Sequence, residues 1–256
     1  MSGQKIQSYV ICTTPRSGST MLCKLLAATK IAGNPGSHFH EPSISAWLSY
    51  YHLEGQSFSS DQDKASAVFA AALELGKGET DVFGLRLQRD SFAFFTDQLM
   101  LLHPTFASDR ERIEAAFGTN KFIYLKREDY LDQAISRLRA QETGLWHLKA
   151  DGSDLERMQP EHTGGYDRQK IEAYVQQSIA QNEEWTRWFA EEAIAPLVIT
   201  YAELSKHPHA ALSRVLAHIG LDKSVADTVP VQTRKLADDT NLAWRARFIA
   251  ETAAGA

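Results

Sequence analysis

Cysteine is nearly absent: the 256 residues contain only Cys12 and Cys23. Two thiols build neither a disulfide framework nor a cysteine metal cluster. Both fall in an N-terminal segment that reads as buried, a pattern suited to a reducing compartment. Long apolar runs are missing too. Nothing approaches the roughly 20 residues a membrane span requires. Tyr9-Val10-Ile11-Cys12, followed at once by Pro15-Arg16, is too short for a signal-peptide core. There is no excess of positive charge either. Lys and Arg number 27 against 32 Asp and Glu, a formal net charge of −5, so no global field holds nucleic acid or an anionic membrane. The expectation is a cytoplasmic protein with no nucleic-acid partner, no integral membrane association and no metal.

What is present is the composition of an ordinary soluble globule, 43% hydrophobic and 23% charged, able to bury a core. No repeat, low-complexity tract or linker divides the chain, so residues 1–256 are expected to form one domain. Short β-rich runs alternate with longer helical stretches. Ser8 to Thr13, Val82 to Leu87, Phe122 to Leu125 and Leu197 to Tyr201 read as strands. Helices are expected from Ser19 to Lys30, Ser91 to His103, Tyr130 to Thr143 and Pro208 to Ile219, the last closed by Gly220. Between Ile171 and Phe189, apolar residues including Trp185 cluster on one helical face, as core or subunit contact. This alternation predicts an α/β fold, a parallel β-sheet flanked by helices on both faces. The Gly-, Asp- and His-rich stretch from Leu145 to Gly165 reads as a long surface loop, opened by Trp146 and His147, that could act as a lid.

The sharpest motif is Thr13-Thr14-Pro15-Arg16-Ser17-Gly18-Ser19-Thr20, between the first strand and first helix. A strand–turn–helix aims free backbone N–H groups and the positive helix end at one point. Gly18 permits close backbone approach, Ser17, Ser19 and Thr20 add hydroxyls, and Arg16 adds a permanent charge with a planar fork for phosphate or sulfonate. The plainer alternative is a helix N-cap. No lysine follows Gly18 as a Walker loop demands, and one glycine is too few for a dinucleotide fingerprint. Cys12 lies back in the strand, away from where a phosphatase thiolate would stand. A second motif, Tyr124-Leu125-Lys126-Arg127-Glu128-Asp129, ends a strand, and Ser136 follows in the next helix. Arg127 and Ser136 could jointly hold a second phosphate; read alone, Arg127 is a surface ion pair with Glu128 or Asp132.

Together, Pro-Arg-Ser-Gly-Ser-Thr on the first strand and Lys-Arg-Glu-Asp before Gln133-Ala134-Ile135-Ser136 resemble sulfotransferases, more narrowly the bacterial trehalose 2-sulfotransferase family. The resemblance extends through Ala32-Gly33-Asn34-Pro35, Gln141 to Trp146, Ile199 to Leu204, Arg234 to Asp238 and Asn241 to Trp244. It implies a P-loop-like sulfotransferase fold and 3′-phosphoadenosine 5′-phosphosulfate (PAPS) as donor. On this likeness Arg16, Ser17, Gly18, Ser19 and Thr20 hold the phosphosulfate, Arg127 and Ser136 the 3′-phosphate, and Arg234 and Lys235 close over the nucleotide. Arg16 would also stabilise charge on the leaving group. A homodimer is compatible with the likeness.

The family's catalytic Glu falls two residues after Pro35, where this chain has Ser37, within Pro35-Gly36-Ser37-His38-Phe39-His40-Glu41-Pro42. A serine is no comparable base, which leaves His38, His40 or Glu41 for that role, or for binding sugar hydroxyls. The acceptor side is expected to draw on Pro15, Pro35, Ser37, Trp47 and Arg86, with Trp47 stacking on a sugar ring or packing in the core. Arg86 is equally placed for a structural ion pair. The acceptor is expected to be a trehalose-like disaccharide or the sugar of a glycolipid or lipopolysaccharide. Two rival readings are a small-molecule kinase with an atypical phosphate loop and a catalytically silent binding protein of the same fold.

Overall fold

The computed structural model describes residues 7–149, 153–157, 159, 165–231, 233–234 and 239–254. Its elements are β1 (Gln7–Thr13), α1 (Ser19–Ala28), α2 (Ile44–Tyr50), α3 (Asp61–Lys77), β2 (Val82–Gln88), α4 (Arg89–Leu102), α5 (Asp109–Phe117), β3 (Thr119–Lys126) and α6 (Tyr130–Thr143). There follow β4 (Leu145–Lys149), β5 (Asp154–Arg157), α7 (Arg168–Glu191), β6 (Leu197–Thr200), α8 (Tyr201–Lys206), α9 (Pro208–His218), a 3-10 turn (Lys223–Thr228), β7 (Thr233–Arg234) and α10 (Asp239–Ala254).

Four strands form a parallel sheet in the order β2-β1-β3-β6. The central strand β1 is buried from Ser8 through Thr13, as a strand covered on both faces must be. Alternate side chains of β1 serve opposite cores. Tyr9 and Ile11 join Leu22, Leu25 and Leu26 of α1 and Leu212, Val215 and Leu216 of α9. Val10 and Cys12 face an aromatic core in which Phe69 of α3, Phe95 of α4, Phe117 of α5 and Trp185 of α7 meet. Helices α6, α7 and α10 share a third cluster around Ile135, Leu138 and Ile171, with Trp244 and Phe248 packed against it. The sheet and its two-sided cover match the expected fold class.

The expected loop after α6 departs from its reading. Residues Leu145–Lys149 and Asp154–Arg157 pair antiparallel, and Thr233–Arg234 adds a third strand on the other side of β4. A five-residue strand carries too few alternations to stand out from a polar stretch, although Asp151-Gly152 between the two runs is a hairpin signal. This small sheet meets the loop that follows β1 through Trp146 of β4, whose carbonyl accepts from Arg16.

Chain direction fixes where a site can form. All four parallel strands point their carboxyl ends the same way, so the segment after β1, the end of β2 and the end of β3 lie along one edge. Thr13 pairs with Gln88 and with Leu125 across that edge.

Candidate active site

The loop after β1 is held from below by buried hydrogen bonds. Thr13 Oγ1 donates to the Leu125 carbonyl at 2.8 Å, and the Thr13 and Ser17 hydroxyls bond each other. Ser17 Oγ also stands 2.8 Å from the Thr14 carbonyl, so its single proton is shared between that oxygen and Thr13 Oγ1. Helix α7 reaches in through Trp185, whose Nε1 donates to the Thr13 carbonyl at 2.8 Å. Helix α6 reaches in through Gln133, whose Nε2 donates to the Pro15 carbonyl at 2.6 Å and Thr14 Oγ1 at 3.0 Å. The Ser17 hydroxyl is thus spent inside the loop, so toward a ligand Ser17 offers only its backbone.

Helix α1 opens on Gly18, at φ 89° and ψ 11°, with no side chain capping its N-terminus. An L residue there would be strained, and a Cβ would stand 2.8 Å from Cδ2 of Tyr201. Arg16 also has positive φ, 63°. Two left-handed residues separated by one turn the backbone so that the uncapped N–H groups of α1 face outward, a geometry suited to anions.

Above them opens a cavity of about 1140 Å³, a little larger than the ordinary range for small-molecule sites. Pro15, Arg16, Gly18, Ser19 and Thr20 form one wall; Ser37, His38, His40 and Glu41 form another; Arg86 and Gln88 lie between them. Arg86 joins the walls. Its Nε donates to Ser37 Oγ at 2.7 Å, and its Nη1 donates to Thr20 Oγ1 at 2.8 Å and Ser19 Oγ at 3.4 Å. The contact with Ser37 follows from the backbone, because Gly36 bridges Leu85 in parallel and its carbonyl accepts from the Arg86 N–H at 2.9 Å. Arg86 therefore bonds the hydroxyls of Ser19 and Thr20 at the start of α1 and that of Ser37, and the ion pair weighed for it from sequence is not what holds it.

The expected second phosphate site lies beside the cavity, not in its lining. Arg16 Nε donates to Ser136 Oγ at 3.1 Å, and Arg16 Nη1 donates to the Trp146 carbonyl at 2.6 Å. Arg127 is 7% exposed, with its guanidinium 4.5 Å from the centre of the Tyr201 ring and 3.6 Å from Asp132. Its Nη1 donates to the Arg16 carbonyl at 3.4 Å, while its Nε is buried without a partner. Burial lowers the Arg127 pKa from its ordinary value, with Tyr201, Asp132 and Asp129 pulling the other way. Asp129 and Asp132 also receive Arg245 of α10, at 3.0 and 2.9 Å. Arg16, Arg127 and Ser136 thus form one contiguous cluster. The backbone of Arg234 pairs with Leu148 in β7; Lys235 lies outside the described residues.

Phe39 explains the wall with the candidate bases. It is 1% exposed, packed 4.9 Å from Trp47 and 4.7 Å from Phe69, which anchors the chain between His38 and His40. His38 is turned inward: its ring lies 6.1 Å from that of Phe83, and Nε2 is 3.2 Å from the Asn34 carbonyl. Burial pulls its pKa down to about 4. His40 and Glu41 are exposed on the cavity rim. Pro35 is buried, its Cβ so close to Gly84 that a Cβ on that glycine would stand 2.8 Å away; it lies outside the cavity lining. Trp47 borders the cavity, but its ring is 2% exposed and wedged between Phe39 and Phe94. In the same helix it is Tyr50, 56% exposed and edge-to-face with Tyr51 at 4.9 Å, that presents an aromatic surface to the cavity. Sequence reasoning missed the anchoring roles of Gln133 and Trp185; a lone amide and an amphipathic tryptophan carry no local signal of partners 118 and 172 residues away.

Among the described residues no group of three or more His, Cys, Asp or Glu side chains could hold a metal, and no helix is long and apolar enough to cross a membrane.

Comparison with known proteins places this geometry in context. The model of the Stf0 sulphotransferase family matches residues 8–251. A trehalose 2-sulfotransferase of Mycobacterium tuberculosis is 28% identical, over 96% of each chain. Its counterpart from Mycolicibacterium smegmatis is 26% identical, over 94% of each chain. A solved sulfotransferase domain from the Synechococcus PCC 7002 olefin synthase aligns over 97% of each chain at 16% identity, with a TM-score of 0.38.

Proposed function

The chain belongs to the Stf0 sulphotransferase family, and from that premise we propose that it moves a sulfuryl group from PAPS to a carbohydrate hydroxyl, trehalose being the first acceptor to try. The observation that carries this reading is the convergence on one cavity of an uncapped, left-handed helix start at Gly18 and the Arg86 guanidinium bonded to Ser19 and Thr20. Positive groups so arranged match an anion that grows during the reaction.

The donor supplies a sulfur whose bond to the bridging phosphate oxygen breaks as the acceptor oxygen bonds to it. The N–H groups of α1, with Gly18, Ser19 and Thr20, hold the phosphosulfate. Arg16 and Arg86 face the charge on the departing bisphosphate. Arg127, with a buried Nε in want of a partner, and Ser136 hold the 3′-phosphate. Arg234 and Lys235 close over the nucleotide. The acceptor's hydroxyl proton passes to His40 or Glu41 as its oxygen attacks. His38, buried and with its pKa pulled to about 4, is a weak base at neutral pH and holds the loop instead. Pro15 and Ser37 border the acceptor, and Tyr50 offers the ring face for a sugar in place of Trp47.

The test is transfer of label from sulfur-labelled PAPS to trehalose, other disaccharides and glycolipid sugars, without metal. Labelled sugar supports the reading. Absence of transfer to every sugar, with intact donor binding, favours a silent binding protein.

A further inference from the structure

On the side of α4 and α6 the cavity is lined by Asp90, Arg137 and Gln141, none of which the proposed chemistry uses. Asp90 and Arg137 carry opposite charges, yet neither is ion-paired among the described residues. A single amide stands between them. Gln177 of α7 accepts from Arg137 Nη1 at 2.9 Å through its Oε1, and donates to Asp90 Oδ1 at 3.4 Å through its Nε2. A glutamine does both at once because its amide carries an acceptor and donors in one plane. Buried Gln181 donates to the same Oδ1. The guanidinium of Arg137 lies 4.4 Å from the centre of the Tyr174 ring, and the Tyr174 hydroxyl donates to Gln141 Oε1 at 2.5 Å.

An acid in the first turn of α4 also complements the helix dipole. That role requires neither two α7 amides fixing one carboxylate oxygen nor a stacked guanidinium nearby. The bonds occupy Oδ1 of Asp90 and Nη1 of Arg137. They leave Oδ2 of Asp90, an exposed residue, and the other N–H groups of half-buried Arg137 for what enters the cavity. An acceptor and a donor held near each other do not suit a phosphate or sulfate, which the carboxylate repels. They suit two adjacent hydroxyls, one donating to the carboxylate and the other accepting from the guanidinium.

We propose that Asp90 and Arg137 form a specificity-determining clamp on the acceptor, Asp90 Oδ2 accepting from one hydroxyl of a sugar ring and the Arg137 guanidinium donating to its neighbour. The inference rests on the proposed carbohydrate acceptor. The clamp takes no proton from the reacting hydroxyl; it selects and orients the ring. Polar groups fixed in advance by their own partners discriminate strongly against a sugar that lacks the matching hydroxyl.

The experiment compares wild type with Asp90→Asn and Arg137→Lys on trehalose, a panel of other disaccharides and, for the best acceptor, its monodeoxy analogues. Asp90→Asn keeps an oxygen toward Gln177 and Gln181 and puts a donor where the free oxygen stood. Measured are steady-state sulfation, calorimetric sugar binding in the presence of adenosine 3′,5′-bisphosphate, binding of the bisphosphate alone, and thermal unfolding. Asp90→Asn is expected to raise the sugar KM and weaken sugar affinity by roughly 10- to 100-fold, the worth of a hydrogen bond to a charged group, with kcat nearly kept. Arg137→Lys, which keeps the charge but not the planar fork, loses sugar affinity as well. Bisphosphate affinity and unfolding temperature stay within error in both. One monodeoxy sugar binds poorly to wild type and no worse to Asp90→Asn, because the hydroxyl that Asp90 holds is already gone. Sugar KM and affinity equal to wild type in both variants overturn the proposal, while sulfation by wild type leaves the sulfotransferase reading intact. A loss shared by every deoxy sugar, or matched in bisphosphate affinity, overturns it as well, since it marks a structural or donor-side role. A wild type that neither binds nor sulfates any of these sugars sinks the acceptor reading and the clamp with it.

Discussion

Replacing Gly18 by alanine tests whether the start of α1 is built as described. Two costs add. The residue sits at φ 89°, and placing an L side chain in the left-handed region costs about 1–2 kcal/mol. The new Cβ would also stand 2.8 Å from Cδ2 and 3.2 Å from Cε2 of Tyr201, and such overpacking costs about 1–3 kcal/mol. Together they amount to about 2–5 kcal/mol. In a chain of this size each kcal/mol shifts Tm by roughly 2–4 °C, so a fall of about 4–20 °C is expected by calorimetry or circular dichroism. Gly165 supplies the control. It too has positive φ, 75°, but an added Cβ meets nothing within 4 Å, so Gly165→Ala should carry only the backbone cost. The Tyr201 ring also lies under Arg127, so Gly18→Ala alone should weaken binding of adenosine 3′,5′-bisphosphate. Equal Tm losses in the two variants, with donor binding unchanged in both, would refute the argument from Tyr201.

Other consequences follow from the same contacts. His38 has its pKa lowered to about 4 from an ordinary 6.5, so above pH 6.5 it is neutral whether folded or not. As pH falls from 6.5 to 4, the unfolded chain takes a proton that the folded chain refuses, and stability drops by up to about 3 kcal/mol. Denaturant midpoints across that range should fall more steeply for wild type than for His38→Gln; parallel curves contradict the assignment. Trp185→Phe strips the buried Thr13 carbonyl of its indole donor and should cost about 1–3 kcal/mol in urea unfolding, whereas an unchanged midpoint would show that the bond contributes nothing. Of His40→Ala and Glu41→Gln, one should lower kcat for sulfation by roughly 10²–10⁴-fold, and full activity in both would place the base elsewhere.

Much of this was legible because it is local. The run Tyr9-Val10-Ile11-Cys12 reads as a doubly covered strand, and a glycine among hydroxyls at its end reads as a turn into a helix. Arg127 and Ser136 fall where strand and helix periodicity put them. What escaped depends on distant partners. The Ser17 hydroxyl looks identical to that of Ser19 in sequence, yet it turns to Thr13 and Thr14 because β1 ends beneath it. Trp47 reads as a stacking platform until the packing of Phe39 and Phe94 encloses it. Helix α3 was recognisable in principle. Ser60 caps it, and Ala65, Val68, Phe69, Ala72 and Gly76 mark one buried face, but the small side chains blur the stripe. The pairing of β4 with β7 joins segments more than 80 residues apart and has no local signature.

The donor site is the central claim, and calorimetry addresses it directly. Wild-type protein and Arg127→Ala are titrated with adenosine 3′,5′-bisphosphate, AMP and ATP, each with and without Mg²⁺. The proposed function predicts metal-independent preference for the bisphosphate in wild type, carried by Arg127 and reduced toward the AMP level in the variant. Tighter binding of Mg²⁺-ATP than of the bisphosphate, or a preference that survives loss of Arg127, would contradict it.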